Sequence, residues 1–214
     1  MVTSILSVTD LTFRYRPSLP ELFNGLTHSF NAGVTAVTGP SGRGKSTLLY
    51  ILGMLLRPES GTICLVDTDL TALSDHEVSR MRAQKFGFVF QDSELDPARP
   101  ILDSVIEPGL YAGYTRATLI AKAKCLLSDV GLLEWASHRP AQISGGQAQR
   151  VALCRALIND PAVILADEPT GNLDPDNSAI VLDALAQMAA CGRAVIIATH
   201  DPAVVDRADE VLAL

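Results

Sequence analysis

The chain carries the stretch Val34-Thr-Ala-Val-Thr-Gly-Pro-Ser-Gly-Arg-Gly-Lys-Ser46, in which a short apolar strand enters a glycine-rich loop. An apolar, helix-like run follows from Ser46. Gly39–Ser46 fits the pattern G-x-x-x-x-G-K-[ST], and a strand before it and a helix after it are the context that this pattern requires. Glycines let backbone N–H groups converge on phosphate oxygens, and the helix start adds its positive dipole end. We therefore expect Lys45 to reach the β- and γ-phosphates of a nucleotide and Ser46 to ligate Mg²⁺.

Length and composition describe an ordered globular chain. Its 214 residues are 48% hydrophobic and 19% charged, which excludes a disordered or low-complexity protein. The net charge of −7 argues against a protein that binds nucleic acid or anionic lipid by bulk electrostatics. The sequence shows no signal peptide, and its longest apolar stretch, 48–56, is far too short to span a membrane. Four cysteines without paired spacing are predicted to be buried, reduced thiols: Cys64, Cys125, Cys154 and Cys191.

Short β-branched runs alternate with helical patterns along most of the chain. This alternation predicts a parallel α/β sheet with crossover connections. From residue 92 to about residue 160 the pattern is helical, which indicates an inserted lobe between strands. The predicted strands are 4–8, 11–15, 26–38 with a turn at 31–33, 62–66, 86–90, 163–166 and 194–198, and the predicted helices are 46–56, 74–84, 115–130, 144–159 and 175–190.

Two acids end the apolar run Val163-Ile-Leu-Ala-Asp-Glu-Pro169. The carboxyl end of a central parallel strand is where ligands bind in such sheets. Consecutive strand side chains point to opposite faces, so the two carboxylates should have different roles. We expect Asp167 to hold the Mg²⁺ shell and Glu168 to orient or deprotonate the attacking water.

A third element, Gln142-Ile-Ser-Gly-Gly-Gln-Ala-Gln-Arg150, opens a helix with Ser144 as its natural N-cap. Alone this is a weak signal. After a phosphate loop and before the two acids, it closely resembles the signature motif of ATP-binding-cassette (ABC) ATPases. Further landmarks of that family follow in order over essentially the whole chain: Tyr15 as the adenine-stacking aromatic, Gln91 as the Q-loop glutamine, 171–174 as the D-loop and His200 as the switch histidine.

The resemblance implies the ABC ATPase fold: a parallel-sheet core, an N-terminal antiparallel β subdomain and an inserted helical subdomain. We expect one domain, 1–214, with core and β subdomain in 1–91 and 160–214 and the helical signature subdomain in 92–159. The resemblance also implies an ATPase that uses ATP and Mg²⁺. The residues expected at the nucleotide are Tyr15, Gly39, Pro40, Ser41, Gly42, Arg43, Gly44, Lys45, Ser46 and Thr47; at the metal, Ser46, Gln91 and Asp167; in catalysis, Lys45, Glu168 and His200; in the signature motif, Ser144, Gly145, Gly146 and Gln147; and in the D-loop, Asn172 and Asp174.

The resemblance also implies partners. Two chains, identical or paralogous, would pair head to tail, so that the signature motif of one completes the phosphate site of the other. The motifs at 88–91 and 166–174 are similar to the lipoprotein-release, macrolide-export and cell-division branch, in which the ATPase docks a membrane permease. This places the chain in the cytoplasm, peripheral on the inner face of the cell membrane, with no nucleic acid partner. The segment 92–102 is predicted to receive the permease, with Leu95 and Ile101 as anchors.

Several alternatives stay open at this stage. A soluble ABC ATPase of DNA repair, chromosome structure or translation would usually carry coiled-coil insertions, zinc-binding cysteines or tandem cassettes, which this chain lacks. A different phosphate-loop enzyme, such as a small-molecule kinase, would leave 144–147 and His200 unexplained. Phe13 rivals Tyr15 for adenine stacking. Arg43 stands where relatives carry a small residue, and it either adds charge near the nucleotide or is simply solvated.

Overall fold

The computed structural model describes residues 4–214. In chain order its strands are β1 (Leu6–Phe13), β2 (Phe23–Phe30), β3 (Gly33–Thr38), β4 (Ser60–Leu65), β5 (Thr68–Asp69), β6 (Phe86–Val89), β7 (Val163–Asp167), β8 (Ala194–Ala198) and β9 (Glu210–Ala213). The α-helices are α1 (Lys45–Leu52), α2 (Asp75–Lys85), α3 (Ile101–Tyr111), α4 (Arg116–Asp129), α5 (Gly145–Leu157), α6 (Pro175–Ala190) and α7 (Pro202–Val205). Two 3₁₀ turns cover Leu133–Trp135 and Pro140–Gln142.

Five strands form a parallel sheet in the order β6-β7-β8-β3-β9. Every residue of β7 and β8 is buried, as their aliphatic sequences predict for strands covered on both faces. Val37 and Asp167 both pair with Ala198, so the carboxyl ends of β3, β7 and β8 lie side by side. The phosphate loop and both acids of the sequence analysis therefore meet at one edge of the sheet.

The other four strands form an antiparallel sheet in the order β2-β1-β4-β5. The prediction of separate strands at 4–8 and 11–15 is wrong. β1 continues through Asp10, which takes a left-handed φ of 51° where the pairing register shifts. The antiparallel sheet, α1 and the parallel sheet share one core, to which they contribute Leu6, Leu48 and Leu165, respectively.

Helix α1 is shorter than predicted. It ends at Leu52, although the apolar sequence continues to Leu56. Gly53 caps the helix, and Met54 turns the chain with a φ of 55°. Gly53 also packs against β6, because a Cβ there would lie 2.1 Å from the Phe88 ring. Close approach to the sheet, which hydropathy does not reveal, thus stops the helix early.

Helices α3, α4 and α5 form a lobe around a hydrophobic cluster of their own. Helix α3 was not predicted individually, because Pro97 and Pro100 before it and Pro108 within it obscure the helical pattern. Ile101 begins α3 and is fully buried in the lobe, and Leu95 packs against the same cluster. The prediction that Ile101 is a docking anchor is therefore wrong, since its side chain lies in the lobe's interior, whereas Leu95 is only partly buried.

The cysteine prediction holds for one thiol. Cys154 is buried in the lobe, and burial raises its pKa to about 12. Cys125 and Cys191 are exposed and Cys64 is half-buried, all four being free. Among residues 4–214, no helix combines the length and the apolar character needed to cross a membrane.

Candidate functional site

The glycine-rich loop stands between β3 and α1 as its pattern requires. Gly39 adopts a φ of 142° and Gly44 a φ of 96°. A Cβ on Gly39 would lie 2.8 Å from the backbone oxygen of Leu214, and one on Gly44 would lie 2.8 Å from the Leu22 side chain. Both backbone conformation and space therefore demand glycine at these two positions.

Lys45 bends back over the loop. Its Nζ donates hydrogen bonds to the carbonyl oxygens of Gly39 at 2.9 Å and Pro40 at 3.4 Å. The ammonium group thus stays at the loop, where its charge can meet an anion. Arg43 is exposed, and its backbone N–H donates to Pro40 O at 3.3 Å. The loop is therefore closed by its own backbone and by Lys45.

A cavity of about 550 Å³ opens beside the loop. On its wall, the Ser46 hydroxyl donates to Asp167 Oδ1 at 3.0 Å. Asp167 is 8% exposed, and burial together with the neighbouring Glu168 charge raises the pKa of Asp167 against the opposing effects of Ser46 and Lys45. Ten of the predicted site residues line this cavity, namely Tyr15, Ser41, Gly42, Gly44, Lys45, Ser46, Thr47, Gln91, Asp167 and Glu168.

The two aromatic candidates of the sequence analysis have different environments. Tyr15 is 56% exposed at the mouth of the cavity, and its hydroxyl lies 2.7 Å from Thr47 Oγ1. Phe13 is buried in the core and meets Tyr15 edge to face, with ring centroids 5.1 Å apart. Tyr15 is therefore the ring that a planar ligand can reach.

Glu168 follows β7 with a left-handed φ of 43°, a conformation that costs a non-glycine residue on the order of 1 kcal/mol. Its backbone N–H donates to Ala198 O at 2.9 Å. Its Oε1 lies 2.6 Å from His200 Nδ1, and its Oε2 accepts a 3.1 Å hydrogen bond from the Thr199 hydroxyl. The His200 side chain is 77% exposed. The acid at the end of β7 is thus held by two residues that follow β8.

Ser144 caps α5 as predicted. Its side chain accepts from the Gln147 N–H at 3.2 Å, and the Gln147 side chain accepts from the Ser144 N–H at 2.8 Å. A Cβ on Gly146 would collide with Asn177 at the start of α6, whereas a Cβ on Gly145 would meet open space. Within the described residues, none of 144–147 lines the 550 Å³ cavity. The signature motif therefore presents Gly145 outward from its own chain.

The D-loop residues also lie outside that cavity. Asp174 caps α6, accepting from the Asn177 backbone at 2.9 Å and its side chain at 2.6 Å, and these hydrogen bonds lower the pKa of Asp174. Asn172 lines a smaller cavity of about 170 Å³ together with Gln91, Gly145 and Gln149. The D-loop and signature motif are thus close to each other and to Gln91.

Two residues at the site escaped the sequence analysis. Thr199 precedes His200, and its hydroxyl contacts Glu168. Gln149 is buried in α5 and donates from Nε2 to Phe90 O at 2.8 Å, which ties the signature helix to the residue before Gln91. A polar residue on an otherwise buried helix face was the available signal for Gln149; for Thr199 it was its place directly after a buried strand.

Comparisons with known proteins agree with this geometry. The family model described as ABC transporter matches residues 23–171. The chain is 44% identical over 194 residues to the lipoprotein-releasing system ATP-binding protein LolD of Paramagnetospirillum magneticum, covering 90% of this chain and 86% of that protein. It is 40% identical over 215 residues to the macrolide export ATP-binding/permease protein MacB of Burkholderia pseudomallei, covering 99% of this chain and 33% of that longer protein.

A solved ATP-binding cassette has the same fold. It forms a dimer in a post-hydrolysis state bound to ADP and Pi, and it superposes with a TM-score of 0.88 at 30% identity over 98% of this chain and 94% of that one. The predicted α/β architecture is therefore confirmed. Family model, relatives and fold agree that this chain belongs to the ABC transporter family of ATP-binding, ATP-hydrolysing subunits.

Proposed function

We propose that this subunit hydrolyses ATP with Lys45, Glu168 and His200 as its catalytic residues and passes the resulting motion to a membrane permease. One observation carries the proposal: the Glu168 carboxylate opens onto the same 550 Å³ cavity as Lys45 and the Ser46–Asp167 pair. These groups suit phosphoryl transfer to water. The Glu168 carboxylate can accept a proton, the Lys45 ammonium can bind phosphate, and the Ser46–Asp167 oxygen atoms can bind a hard cation.

The cavity fits ATP at both ends. Tyr15 offers its exposed ring to the adenine base at the mouth. We expect the loop from Gly39 to Thr47, Arg43 included, to enclose the phosphates: its residues other than Pro40, which has no N–H, can offer backbone donors, and Lys45 can exchange its loop carbonyls for phosphate oxygens. Because base stacking is tolerant of the base, we expect little selectivity for ATP over GTP.

The donor set on the cavity wall fits Mg²⁺. Ser46 offers a hydroxyl, Asp167 a carboxylate and Gln91 an amide oxygen, and all three line the same cavity. Such hard oxygen ligands, few in number, suit an ion that keeps several waters and phosphate oxygens. When bound, Mg²⁺ offsets the negative charge of the β- and γ-phosphate oxygens.

Glu168 is placed to act on water. As the water oxygen bonds to the γ-phosphorus, its proton passes to the Glu168 carboxylate, and the bond from the γ-phosphorus to the bridging oxygen breaks to leave ADP. Lys45 stabilises the charge that develops on the phosphate oxygens. The exposed His200 ring turns from Glu168 towards the γ-phosphate, to which it donates a hydrogen bond.

The site is completed by a second cassette, identical or paralogous. The outward-facing Gly145 and the absence of 144–147 from the cavity lining of the described chain support a signature motif that acts on a partner's ATP. The N-terminus of α5 would present its N–H groups to that γ-phosphate. Asn172 and Asp174 lie beside this surface in the D-loop and would face the partner as well.

The permease is proposed to bind a groove of about 890 Å³ between α2 and β6 on one side and α3 and α5 on the other. Its floor includes Phe86 and Phe88, and its rim carries Tyr111, which is 74% exposed. A groove with apolar anchors and a polar rim suits an amphipathic helix. Of the segment 92–102, the groove includes Glu94, so the docking site proposed here only partly overlaps the segment expected from the sequence.

The groove and the nucleotide cavity share a connection. Phe90 lines the groove and the next residue, Gln91, lines the nucleotide cavity. Gln149 holds the Phe90 carbonyl from α5, the helix of the signature motif. A helix pressing on Phe90 would therefore act on Gln91 and on α5 together, which is a physical route from permease to ATP.

The role of an ATPase subunit bound to a permease also implies a cellular location. Because the subunit is proposed to use ATP and to bind the inner side of a permease, we expect it in the cytoplasm, peripheral to the membrane. The proposed division into a core, 1–91 with 160–214, and a helical lobe, 92–159, is supported by the separate hydrophobic cluster of the lobe. The names of the relatives, a lipoprotein-releasing and a macrolide-exporting protein, favour a transporter over a soluble DNA repair, chromosome or translation ATPase, and over any nucleic acid partner.

Lys45→Ala tests the role of the loop. Loss of its charge-assisted phosphate contact should abolish binding of a fluorescent ATP analogue and phosphate release together. Lys124→Ala removes the same side chain from the exposed surface of α4 and should change neither. Wild-type binding and turnover in Lys45→Ala would refute the assignment of the cavity.

A further inference from the structure

Thr199 is a fully buried threonine at the carboxyl end of β8. Its backbone N–H donates to Val37 O at 3.0 Å, which attaches it to the strand that enters the phosphate loop. Its hydroxyl donates to Glu168 Oε2 at 3.1 Å and accepts from the Asp201 N–H at 3.0 Å. One side chain therefore joins the acid after β7 to the backbone that follows His200.

The two contacts of the Glu168 carboxylate differ in permanence. The Thr199 hydroxyl is shielded from water and its donor and acceptor roles are both used. The His200 ring, at 77% exposed, can exchange its bond with Glu168 Oε1 for one with solvent or ligand. A hydrogen bond shielded from water holds a carboxylate more firmly than one in contact with water.

We propose that Thr199 is a positioning residue that aims the Glu168 carboxylate during hydrolysis. The proposal rests on the role of Glu168 as the base. When His200 leaves Oε1 for the γ-phosphate, Thr199 keeps Oε2, so that Oε1 is left facing the cavity and its water. Without the hydroxyl, the carboxylate would rotate among several conformers, most of which point away from that water.

Thr199→Val tests this with almost no change of shape. We expect kcat for ATP hydrolysis to fall about tenfold or more, the usual effect of losing a hydrogen bond to a charged group. KM for ATP and affinity for a fluorescent ATP analogue should stay within about twofold, because Thr199 contacts Glu168 but does not itself line the proposed nucleotide cavity. Thr199→Ser keeps the hydroxyl and should restore most of kcat.

Thr35→Val is the matched control. Thr35 is likewise buried, in β3, where it pairs with Ile196 three residues before Thr199. The Thr35→Val substitution should leave kcat and KM unchanged. Thermal unfolding midpoints show whether each variant is folded. An equal loss of kcat in Thr199→Ser and Thr199→Val, or a wild-type kcat in Thr199→Val, would overturn the proposal.

A double variant separates this proposal from the one on which it rests. In Glu168→Gln, adding Thr199→Val should lower turnover no further, since both changes act through one group. If Glu168→Gln alone turned over at the wild-type rate, the base assignment would fail. If Glu168→Gln were inactive while Thr199→Val kept full kcat, the positioning role alone would fail.

Discussion

Ser46 Oγ lies 3.0 Å from Asp167 Oδ1, although the two residues are 121 positions apart in the chain. Ser46 belongs to the first turn of α1 and Asp167 to the last position of β7. Their contact exists because β3 and β7 both flank β8 and end at the same level. The parallel sheet thus brings two distant motifs into contact, at the pair of oxygen atoms that we propose as Mg²⁺ ligands.

Asp167→Asn should weaken the response to Mg²⁺. Removing one carboxylate charge from the ligand set is expected to raise the Mg²⁺ concentration for half-maximal hydrolysis about tenfold or more. A Mg²⁺ titration of phosphate release measures this, and chelation with EDTA should abolish activity in the wild type. Asp183→Asn, on the exposed face of α6, is the control. An unchanged titration curve in Asp167→Asn would exclude it from the metal site.

Gly145→Asp should separate folding from dimerisation. The new side chain meets open space, and an acid in the first turn of α5 is favourable to the helix. The unfolding midpoint should therefore be unchanged or slightly higher. In the ATP-bound dimer the same acid would face the partner's γ-phosphate, so ATP should no longer promote dimerisation of a Glu168→Gln background.

Dimerisation is measured as the molar mass from light scattering after size exclusion, with and without Mg-ATP. Ala117→Asp adds the same charge to the exposed first turn of α4 and should leave dimerisation intact. A nucleotide-dependent dimer that survives Gly145→Asp would contradict a signature motif acting in trans.

Tyr111→Asp should disconnect the subunit from its permease. Tyr111 is 74% exposed on the rim of the groove, so the charge disturbs an apolar contact without touching the core. We expect recovery of the subunit with membranes that contain the permease to fall, while ATP hydrolysis by the isolated subunit is unchanged. Tyr114→Asp, three residues on and 52% exposed, lies outside the groove and is the control. Equal membrane recovery of both variants would argue against this docking site.

Much of this molecule was accessible from its sequence because its local signals agree. β7 and β8 were predicted from their aliphatic runs and α6 as the helix between them, and the structure confirms all three. The meeting of Ser46 with Asp167 followed from parallel topology. Signals failed where tertiary contacts decide, as at Gly53, which ends α1 against Phe88, and at α3, whose prolines mask a helix that the lobe stabilises.

In the site, too, residues marked by local sequence were predicted, and residues that depend on tertiary contacts were not. Residues within a motif were found, since their spacing is informative by itself. Thr199 and Gln149 were missed because each reaches the site by a side-chain hydrogen bond to a residue distant in sequence, 31 positions away for Thr199 and 59 for Gln149. No spacing pattern in the sequence predicts such a hydrogen bond.

Glu168→Gln tests the central assignment most directly. The amide keeps the shape of the side chain and loses the base, so ATP should bind with wild-type affinity while turnover falls at least about 100-fold. Glu134→Gln, in an exposed 3₁₀ turn, should behave as wild type. The measurement is phosphate release per subunit at saturating Mg-ATP, with binding of a fluorescent ATP analogue measured on the same samples. Loss of turnover with binding retained is the predicted result, and turnover at the wild-type rate would contradict Glu168 as the base.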